Sequence, residues 1–354
     1  MLGNLRLVNL GVMNGHHTAY DVVKHLGAMQ AQDYKQALWA IGARIPNSTI
    51  STVEAEIETG VILRTWAMRG TIHFIPTEDT QWMIDLCASR ALGSFEHRMR
   101  QLDLTQEIVF KSLEILQKAL TGKKALSRAY LMNLLDESGI STEGQRGYHI
   151  LAQLGNRGLI AIGPTLNNEQ TFILPDEWAT MRRLSREESL AELVKRFFMS
   201  HAPATEQDFA RWTGLTLTDT RRGIESVKPH LRQETIDGTT YYLNAESPTT
   251  TIKQPKSVRL LAGFDEFLLG YKDRDTILPP EYAQQVVPGN NGVFKAIIVV
   301  DGVVSGTWNR QIKSKAVHVT LHPFESLDGL DDQIHAELEK YSQFMALPVI
   351  LDKR

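Results

Sequence analysis

The sequence has one cysteine, Cys87, among its 354 residues. A single cysteine cannot form a disulfide within the chain, and it cannot supply the ligands of a cysteine-based zinc site. Cys87 falls among apolar residues of a helical pattern at positions 82–92. We therefore expect it to be a small buried side chain with no chemical role.

Long apolar segments are also missing. No stretch approaches the run of about 18 apolar residues that a transmembrane helix needs. The amino terminus, with Arg6 as its first basic residue, lacks the basic start and apolar run of a signal peptide. These observations together predict a cytoplasmic protein.

Several catalytic signatures are absent as well. The sequence contains no H-E-x-x-H pattern, no G-x-S-x-G elbow and no P-loop. The segment Gly289-Asn290-Asn291-Gly292 lacks the lysine that a phosphate-binding loop requires. We expect neither a metal site nor an organic cofactor.

Charge of one sign is not in excess, because the net charge is -3 and acids and bases alternate along the chain. This balance argues against a protein that coats nucleic acid by bulk charge. One segment departs from it, since no acid occurs between Asp301 and Glu325. The basic and histidine residues of this segment are Arg310, Lys313, Lys315, His318 and His322. A local basic surface is therefore possible.

What the sequence does contain is a repeated pattern of helices followed by a hairpin. Residues 19–75, 105–175 and 186–243 each fit three helices and then two strands. Asp237-Gly238 is a strong two-residue hairpin turn in the last of them. Three helices followed by a two-stranded hairpin is the layout of a winged helix, so we predict three in tandem.

The amino-acid composition changes near residue 255, where segments rich in valine and isoleucine begin. Asp301-Gly302 predicts a tight hairpin, residues 270–292 a long irregular loop, and residues 330–344 a final helix. We predict an α+β fold with domains at 1–100, 101–180, 181–250 and 251–354. The last of these is a mostly-β subdomain.

Gln30 and Gln32 stand out because they are polar residues at a corner between two predicted helices. Apolar side chains at helical spacing precede them, and Asp33 with Gln36 forms a D-x-x-Q capping pattern that starts the next helix. On an extended corner, residues two apart point the same way, so both amides can face one pocket and hold a water molecule. The alternative is that they cap helix ends or face solvent.

Winged helices place a helix and a hairpin against duplex DNA, with arginine and lysine on the phosphates. Three in a row, followed by a basic β segment, therefore favour double-stranded DNA as the partner. The candidate contacts are Arg69, Lys272, Arg274, Trp308 and Arg310. The alternative for Trp308 is that its side chain fills the β core.

Trp66 is expected to pack under the first hairpin. The alternating charges of residues 265–275 suggest a solvated segment.

Five motifs in order resemble the AlkZ/YcaQ family of winged-helix DNA glycosylases, and the resemblance covers nearly the whole chain. The motifs are Gln30-Ala31-Gln32-Asp33, the segment 64–73 (RTWAMRGTIH), the segment 208–214 (DFARWTG), the segment 265–274 (DEFLLGYKDR) and Gly306-Thr307-Trp308-Asn309-Arg310.

The resemblance implies hydrolysis of the N-glycosidic bond of alkylated purines, including N7-alkylguanine and some interstrand crosslinks. It implies that Gln30 and Gln32 are the catalytic pair, with Ala31 as the apolar residue between them. It also implies a concave DNA-binding surface and a β-hairpin near the lesion, which by order would lie in residues 270–295.

This chemistry is coherent with two neutral amides. An N7-alkylated guanine is already cationic and leaves readily, so the enzyme mainly has to place a water molecule at C1′ of the sugar. Asp33 is another candidate catalytic residue, although its role as the cap of the next helix accounts for an aspartate there without any catalytic function. Two other functions remain open, a non-catalytic transcriptional regulator that binds DNA through a winged helix and a protein-interaction scaffold. For the glycosylase we expect a monomer.

Overall fold

A computed structural model describes residues 2–166, 169–246 and 256–352. The chain forms two compact units. The first unit comprises Met1–Glu54, Val194–Trp212 and Thr216–Arg354, and the second comprises Ala55–Leu193 and Thr213–Leu215. The predicted domain boundary at residue 250 lies outside the described residues, and the four-domain division stays a prediction.

The helices have the following bounds. They are α1 Leu2–Asn9, α2 Ala19–Leu26, α3 Tyr34–Gly42, α4 Ile50–Glu58, α5 Thr80–Cys87, α6 Ser89–Gln101, α7 Gln106–Leu120, α8 Arg128–Glu137, α9 Arg146–Gly155, α10 Arg186–Ser200, α11 Glu206–Thr213, α12 Leu217–Val227, α13 Glu266–Leu269, α14 Ala283–Val286 and α15 Asp331–Met345.

The strands have the following bounds. They are β1 Met29–Gln30, β2 Ile62–Met68, β3 Thr71–Pro76, β4 Leu126–Ser127, β5 Ala161–Leu166, β6 Glu169–Ile173, β7 Leu231–Ile236, β8 Thr239–Asn244, β9 Val258–Leu261, β10 Ile297–Val300, β11 Val303–Ile312, β12 Val317–Pro323 and β13 Val349–Leu351.

The first unit is organised by a sheet in the order β13-β12-β11-β10-β9. β9 to β12 pair antiparallel, whereas β13 runs parallel to β12. The β10–β11 turn is Asp301-Gly302, with φ of 48° and 81°, as expected for a two-residue turn that requires positive φ. This confirms the hairpin predicted there.

Aromatic packing joins α3 and α15 to this sheet. The Trp39 indole on α3 donates to the carbonyl oxygen of Leu260 at 2.9 Å, and its ring lies 4.8 Å from that of Tyr341 on α15. Gly42 lies against Phe344, since a Cβ there would come within 2.2 Å of the Phe344 ring. The helix that follows the Gln30–Gln32 corner is therefore firmly anchored.

The second unit contains strands in the order β3-β2-β5-β6-β4. Trp66 on β2 is 3% exposed and belongs to the core that α7, α8 and α9 form. Gly155 allows the close approach of α9, because a Cβ there would meet the Trp66 ring at 2.3 Å. The expectation that Trp66 packs beneath the first hairpin is confirmed.

Along the described ranges, helices α2–α4, α7–α9 and α10–α12 each precede an antiparallel hairpin, formed by β2–β3, β5–β6 and β7–β8. The predicted α+β class is thus confirmed, and the assignment of the three groups as winged helices stays a prediction.

The prediction of a hairpin in residues 270–295 is wrong. That segment is fully described and contains α14 and 3₁₀ turns instead of strands. Pro279, Pro280 and Pro288 lack the N–H groups that a hairpin ladder uses.

Cys87 is 4% exposed on α5, and burial raises the pKa of its thiol to about 12, which confirms its expected role as a buried side chain.

No helix in the described part of the chain is long and apolar enough to cross a membrane. In the same residues no group of three or more His, Cys, Asp or Glu side chains is placed to hold a metal ion.

Candidate active site

The corner that carries Gln30 and Gln32 begins where α2 ends. The helix predicted before the corner ends at Leu26, because Gly27 takes a φ of 82° and stops the helix. Residues 29–30 are extended as β1, and α3 starts at Tyr34. The extended corner predicted between the two helices is therefore present.

The two glutamine side chains meet at this corner. The Gln30 Nε2 group donates to Gln32 Oε1 at 3.0 Å. Gln30 is half-buried, Gln32 is exposed, and Ala31 between them is fully buried. Alternation along an extended backbone explains this pattern, since residues 30 and 32 share one side and Ala31 points into the protein.

Asp33 caps α3, because its carboxylate accepts from the backbone N–H of Gln36 at 3.1 Å. The predicted capping box is only half formed. The Gln36 side chain does not return to residue 33 but accepts instead from the N–H of Gly263 at 2.9 Å and from the Arg310 guanidinium at 3.3 Å.

Arg310 thus lies against the first turn of α3, although 274 positions separate it from Gln36. Its second guanidinium nitrogen donates to the carbonyl oxygen of Lys35 at 3.1 Å. The structure brings the fifth sequence motif beside the first, a contact that no local pattern shows.

A groove of about 970 Å³ runs past this contact. Asp33, which follows Gln32 in the chain, is one of its lining residues. Three cationic side chains line it, Lys35, Lys295 and Arg310, against the single carboxylate of Asp33. The groove is therefore net positive, and Asp33 is the lining residue that adjoins the glutamine corner in the chain.

Two other predicted contacts, Lys272 and Arg274, line a second cavity of about 750 Å³, and Phe294 borders both cavities. Lys272 is exposed. The Arg274 Nε donates to the carbonyl oxygen of Leu268 at 2.7 Å. Burial, followed by the nearby charge of Arg211, lowers the pKa of Arg274 to about 10.

The last two predicted contacts are Trp308, which is buried although it borders the first groove, and Arg69. Trp308 is 3% exposed, and its indole donates to the carbonyl oxygen of Leu261 at 2.8 Å. This burial fits the alternative given for Trp308, a role in the β core, and its assignment as a DNA contact stays a prediction. Arg69 belongs to the second unit, at the β2–β3 turn with a φ of 53°.

The expectation that residues 265–275 form a solvated charged segment is wrong at its start. Asp265 is 1% exposed and receives two hydrogen bonds of 2.8 Å from Arg44. Glu266 is 2% exposed and accepts at 3.3 Å from the backbone N–H of Gln30. Sequence reasoning missed Arg44 and Glu266. The one available signal was an acidic pair directly before the apolar run Phe267-Leu268-Leu269.

The site can orient a polar molecule. Within the described part of the chain, the bond between Gln30 and Gln32 is the only hydrogen bond of the two side-chain amides. The side-chain oxygen Oε1 of Gln30 and the side-chain nitrogen Nε2 of Gln32 therefore have no protein partner among the described residues. One acceptor and one donor are thus available on two hydrogen-bonded side chains, and a water molecule can use both. Neither amide ionises, so the pair orients a molecule without acting as a strong base.

Comparison with known proteins agrees with these observations. Residues 23–344 match the family model described as DNA glycosylase AlkZ-like. The chain is 28% identical over 322 residues to the interstrand DNA cross-link repair glycosylase of Streptomyces sahachiroi, covering 86% of this chain and 85% of that protein. The solved structure of Streptomyces sahachiroi DNA glycosylase AlkZ superposes with a TM-score of 0.80 at 24% identity, covering 99% of this chain and 98% of the other.

Proposed function

The chain belongs to the AlkZ-like family of DNA glycosylases, which hydrolyse N-glycosyl bonds, and we propose that it excises cationic alkylated purines from double-stranded DNA. N7-alkylguanine is the proposed substrate class. Interstrand crosslinks built on N7-alkylated bases are included, as the name of the Streptomyces sahachiroi relative suggests.

The observation that carries this proposal is the hydrogen-bonded pair of Gln30 and Gln32, 3.0 Å apart beside a positively charged groove. The Gln30 carbonyl accepts from a water molecule and the Gln32 amide donates to it. In this proposal the two contacts hold the water molecule with its oxygen toward C1′ of the damaged nucleotide. Holding the nucleophile in place accounts for much of catalysis when the leaving group is good.

The bond changes balance without a strong acid or base. The C1′–N9 bond breaks, and its electron pair moves onto the base and cancels the positive charge of the alkylated ring. The water oxygen bonds to C1′ as the sugar passes through an oxocarbenium-like state. The proton that the water loses passes to solvent, because a neutral amide cannot retain it.

The groove supports recognition of DNA rather than of a free nucleoside. Lys35, Lys295 and Arg310 supply positive charge next to the corner, and Lys272 and Arg274 supply more in the neighbouring cavity. Its openness suits a crosslinked base, which remains tied to the opposite strand and cannot turn fully into a closed pocket. The three groups of helices and hairpins are proposed to act as winged helices that hold the duplex.

The test is a single-turnover assay on a duplex with one N7-methylguanine, comparing wild type, Gln30→Ala and Gln32→Ala. We expect alkali-labile product from wild type and a rate at least about tenfold lower in either variant. Gln117→Ala is the matched control, because that glutamine is exposed on α7.

The other outcomes separate the alternatives. Tight binding of an undamaged sequence without any abasic product would favour the transcriptional regulator. Product formation at the wild-type rate by both glutamine variants would retain the glycosylase and reject the catalytic pair.

A further inference from the structure

Directly behind the glutamine corner lies a buried carboxylate that the proposed reaction does not yet use. Glu266, the first residue of α13, is 2% exposed. Its Oε1 accepts from the backbone N–H of Gln30 at 3.3 Å, and these residues are 236 positions apart. The side chain therefore ties α13 to the backbone of a proposed catalytic residue.

The other carboxylate oxygen of Glu266 is also held. Oε2 accepts from the Trp212 indole N–H at 2.9 Å and lies 3.4 Å from His201 Nε2. Trp212 and His201 are 1% and 0% exposed. The ring of His201 stacks on Phe197 with a centroid distance of 4.4 Å. Both groups that surround Oε2 are thus fixed by packing.

Backbone geometry brings these groups close together. A Cβ at Gly270 would lie 2.5 Å from the His201 ring, so glycine allows the end of α13 to approach the imidazole. Asp265, which precedes Glu266, caps α13 through the N–H of Phe267 at 2.9 Å and is paired with Arg44. The carboxylate of Glu266 therefore extends from a rigid helix end.

A carboxylate removed from water is unfavourable unless hydrogen bonds compensate it, and one aimed at a backbone N–H fixes that peptide strongly. We propose that Glu266 is a positioning residue, which holds the Gln30 backbone so that the Gln30–Gln32 amide pair presents its water-binding face. Its negative charge also lies behind the corner at which the sugar becomes positive in the transition state.

This inference rests on the proposed function and predicts a specific kinetic effect. Glu266→Gln keeps the shape of the side chain but removes its charge and weakens the hydrogen bond that it accepts from the Gln30 backbone N–H. At saturating enzyme, we expect the single-turnover rate on the N7-methylguanine duplex to fall about tenfold. The dissociation constant for the same duplex should stay within about twofold, because Glu266 is too buried to touch DNA.

Glu337→Gln is the matched control. Glu337 is also a buried glutamate, 7% exposed, and it accepts from the backbone N–H of Leu260 at 3.2 Å, but it lies on α15. A merely structural carboxylate should alter the melting temperature and leave the rate of the folded enzyme unchanged. Glu337→Gln should behave in that way.

The double variant Glu266→Gln/Gln30→Ala shows whether the carboxylate acts through Gln30. We expect its rate to match that of Gln30→Ala within about twofold, because the side chain that Glu266 positions is already gone. Independent losses that multiply would overturn the inference, as would a wild-type rate in folded Glu266→Gln.

Glu266→Asp covers the case in which the glutamine variant does not fold. It retains the charge, but its side chain is one methylene shorter and no longer reaches Gln30, so we expect a loss of about fivefold or more. A wild-type rate in Glu266→Asp would overturn the inference.

The same assays separate this inference from the proposed function. An inactive wild type would reject both. An active wild type with an unimpaired Gln30→Ala variant would reject the catalytic pair and, with it, the role of Glu266. An impaired Gln30→Ala variant beside a fully active Glu266→Gln variant would reject the role of Glu266 alone.

Discussion

The side-chain amide of Gln30 donates to the side-chain carbonyl of Gln32 at 3.0 Å, and this bond orients two neutral groups on one side of an extended corner. The bond uses one donor and one acceptor. It leaves the Gln30 carbonyl oxygen and the Gln32 amide for a third group. In the proposed mechanism the pair acts as one water-binding unit.

Shortening one arm of this unit should disrupt it. Gln32→Asn retains the amide but removes one methylene, so the 3.0 Å bond to Gln30 cannot form with the same geometry. We expect a single-turnover rate lower by about tenfold or more. Because Gln32 is exposed, the midpoint of thermal unfolding should hardly change. A wild-type rate in Gln32→Asn would show that the bond is dispensable.

The absence of an ionised group from the pair restricts the substrates. Gln30 and Gln32 provide no general acid to protonate a leaving base, so only a base that leaves as a neutral molecule should be released. We expect excision of N7-methylguanine and no measurable excision of unmodified guanine or 8-oxoguanine from otherwise identical duplexes. Release of an uncharged base at a comparable rate would require an acid that the proposed mechanism lacks.

The basic groove predicts a salt-dependent contribution from Arg310. Arg310→Ala should weaken binding to damaged and undamaged duplexes equally and reduce the slope of log K against log salt by about 1. Fluorescence anisotropy at several salt concentrations measures both quantities. Lys228→Ala is the control, because Lys228 is an exposed lysine paired with Glu225 and does not line the groove. An unchanged slope in Arg310→Ala would exclude a phosphate contact.

The ion pair of Arg44 and Asp265 should be critical for folding. Both side chains are 0% exposed, and two hydrogen bonds of 2.8 Å join them. Arg44→Met leaves a buried carboxylate without its partner, and we expect a loss of about 3–5 kcal/mol in the free energy of unfolding. Urea denaturation measures it. Arg221→Met, which breaks the exposed pair with Glu206, should leave the midpoint nearly unchanged.

His25 should make the protein sensitive to acid. Burial lowers its pKa from 6.5 to about 4, opposed in part by its hydrogen bond to the Asn9 carbonyl oxygen. Between these two pH values the unfolded chain binds a proton at His25 that the folded protein does not. The contribution of His25 to the free energy of unfolding is therefore fully present above pH 6.5 and is lost as the pH drops toward 4. The loss from this group reaches about 3 kcal/mol. A folded His25→Asn variant should show a shallower dependence, measured by urea denaturation at several pH values.

The sequence by itself determined most of the local structure. Caps such as Thr18 and Asp33 begin their helices, and Asp237-Gly238 and Asp301-Gly302 form the predicted turns. These features depend on backbone dihedrals and hydrogen bonds within a few residues, which a short stretch of sequence specifies. The position of the glutamine corner between two helices followed from the same local rules.

Only the tertiary structure decided which distant groups meet at that corner. Glu266 reaches Gln30 across 236 positions, Arg310 reaches Gln36 across 274, and Trp308 lies in the core. A charge pattern cannot reveal such contacts, because an acid before an apolar run has the same sequence whether it faces water or a buried N–H. Burial depends on which segments pack together, and that is a property of the whole fold.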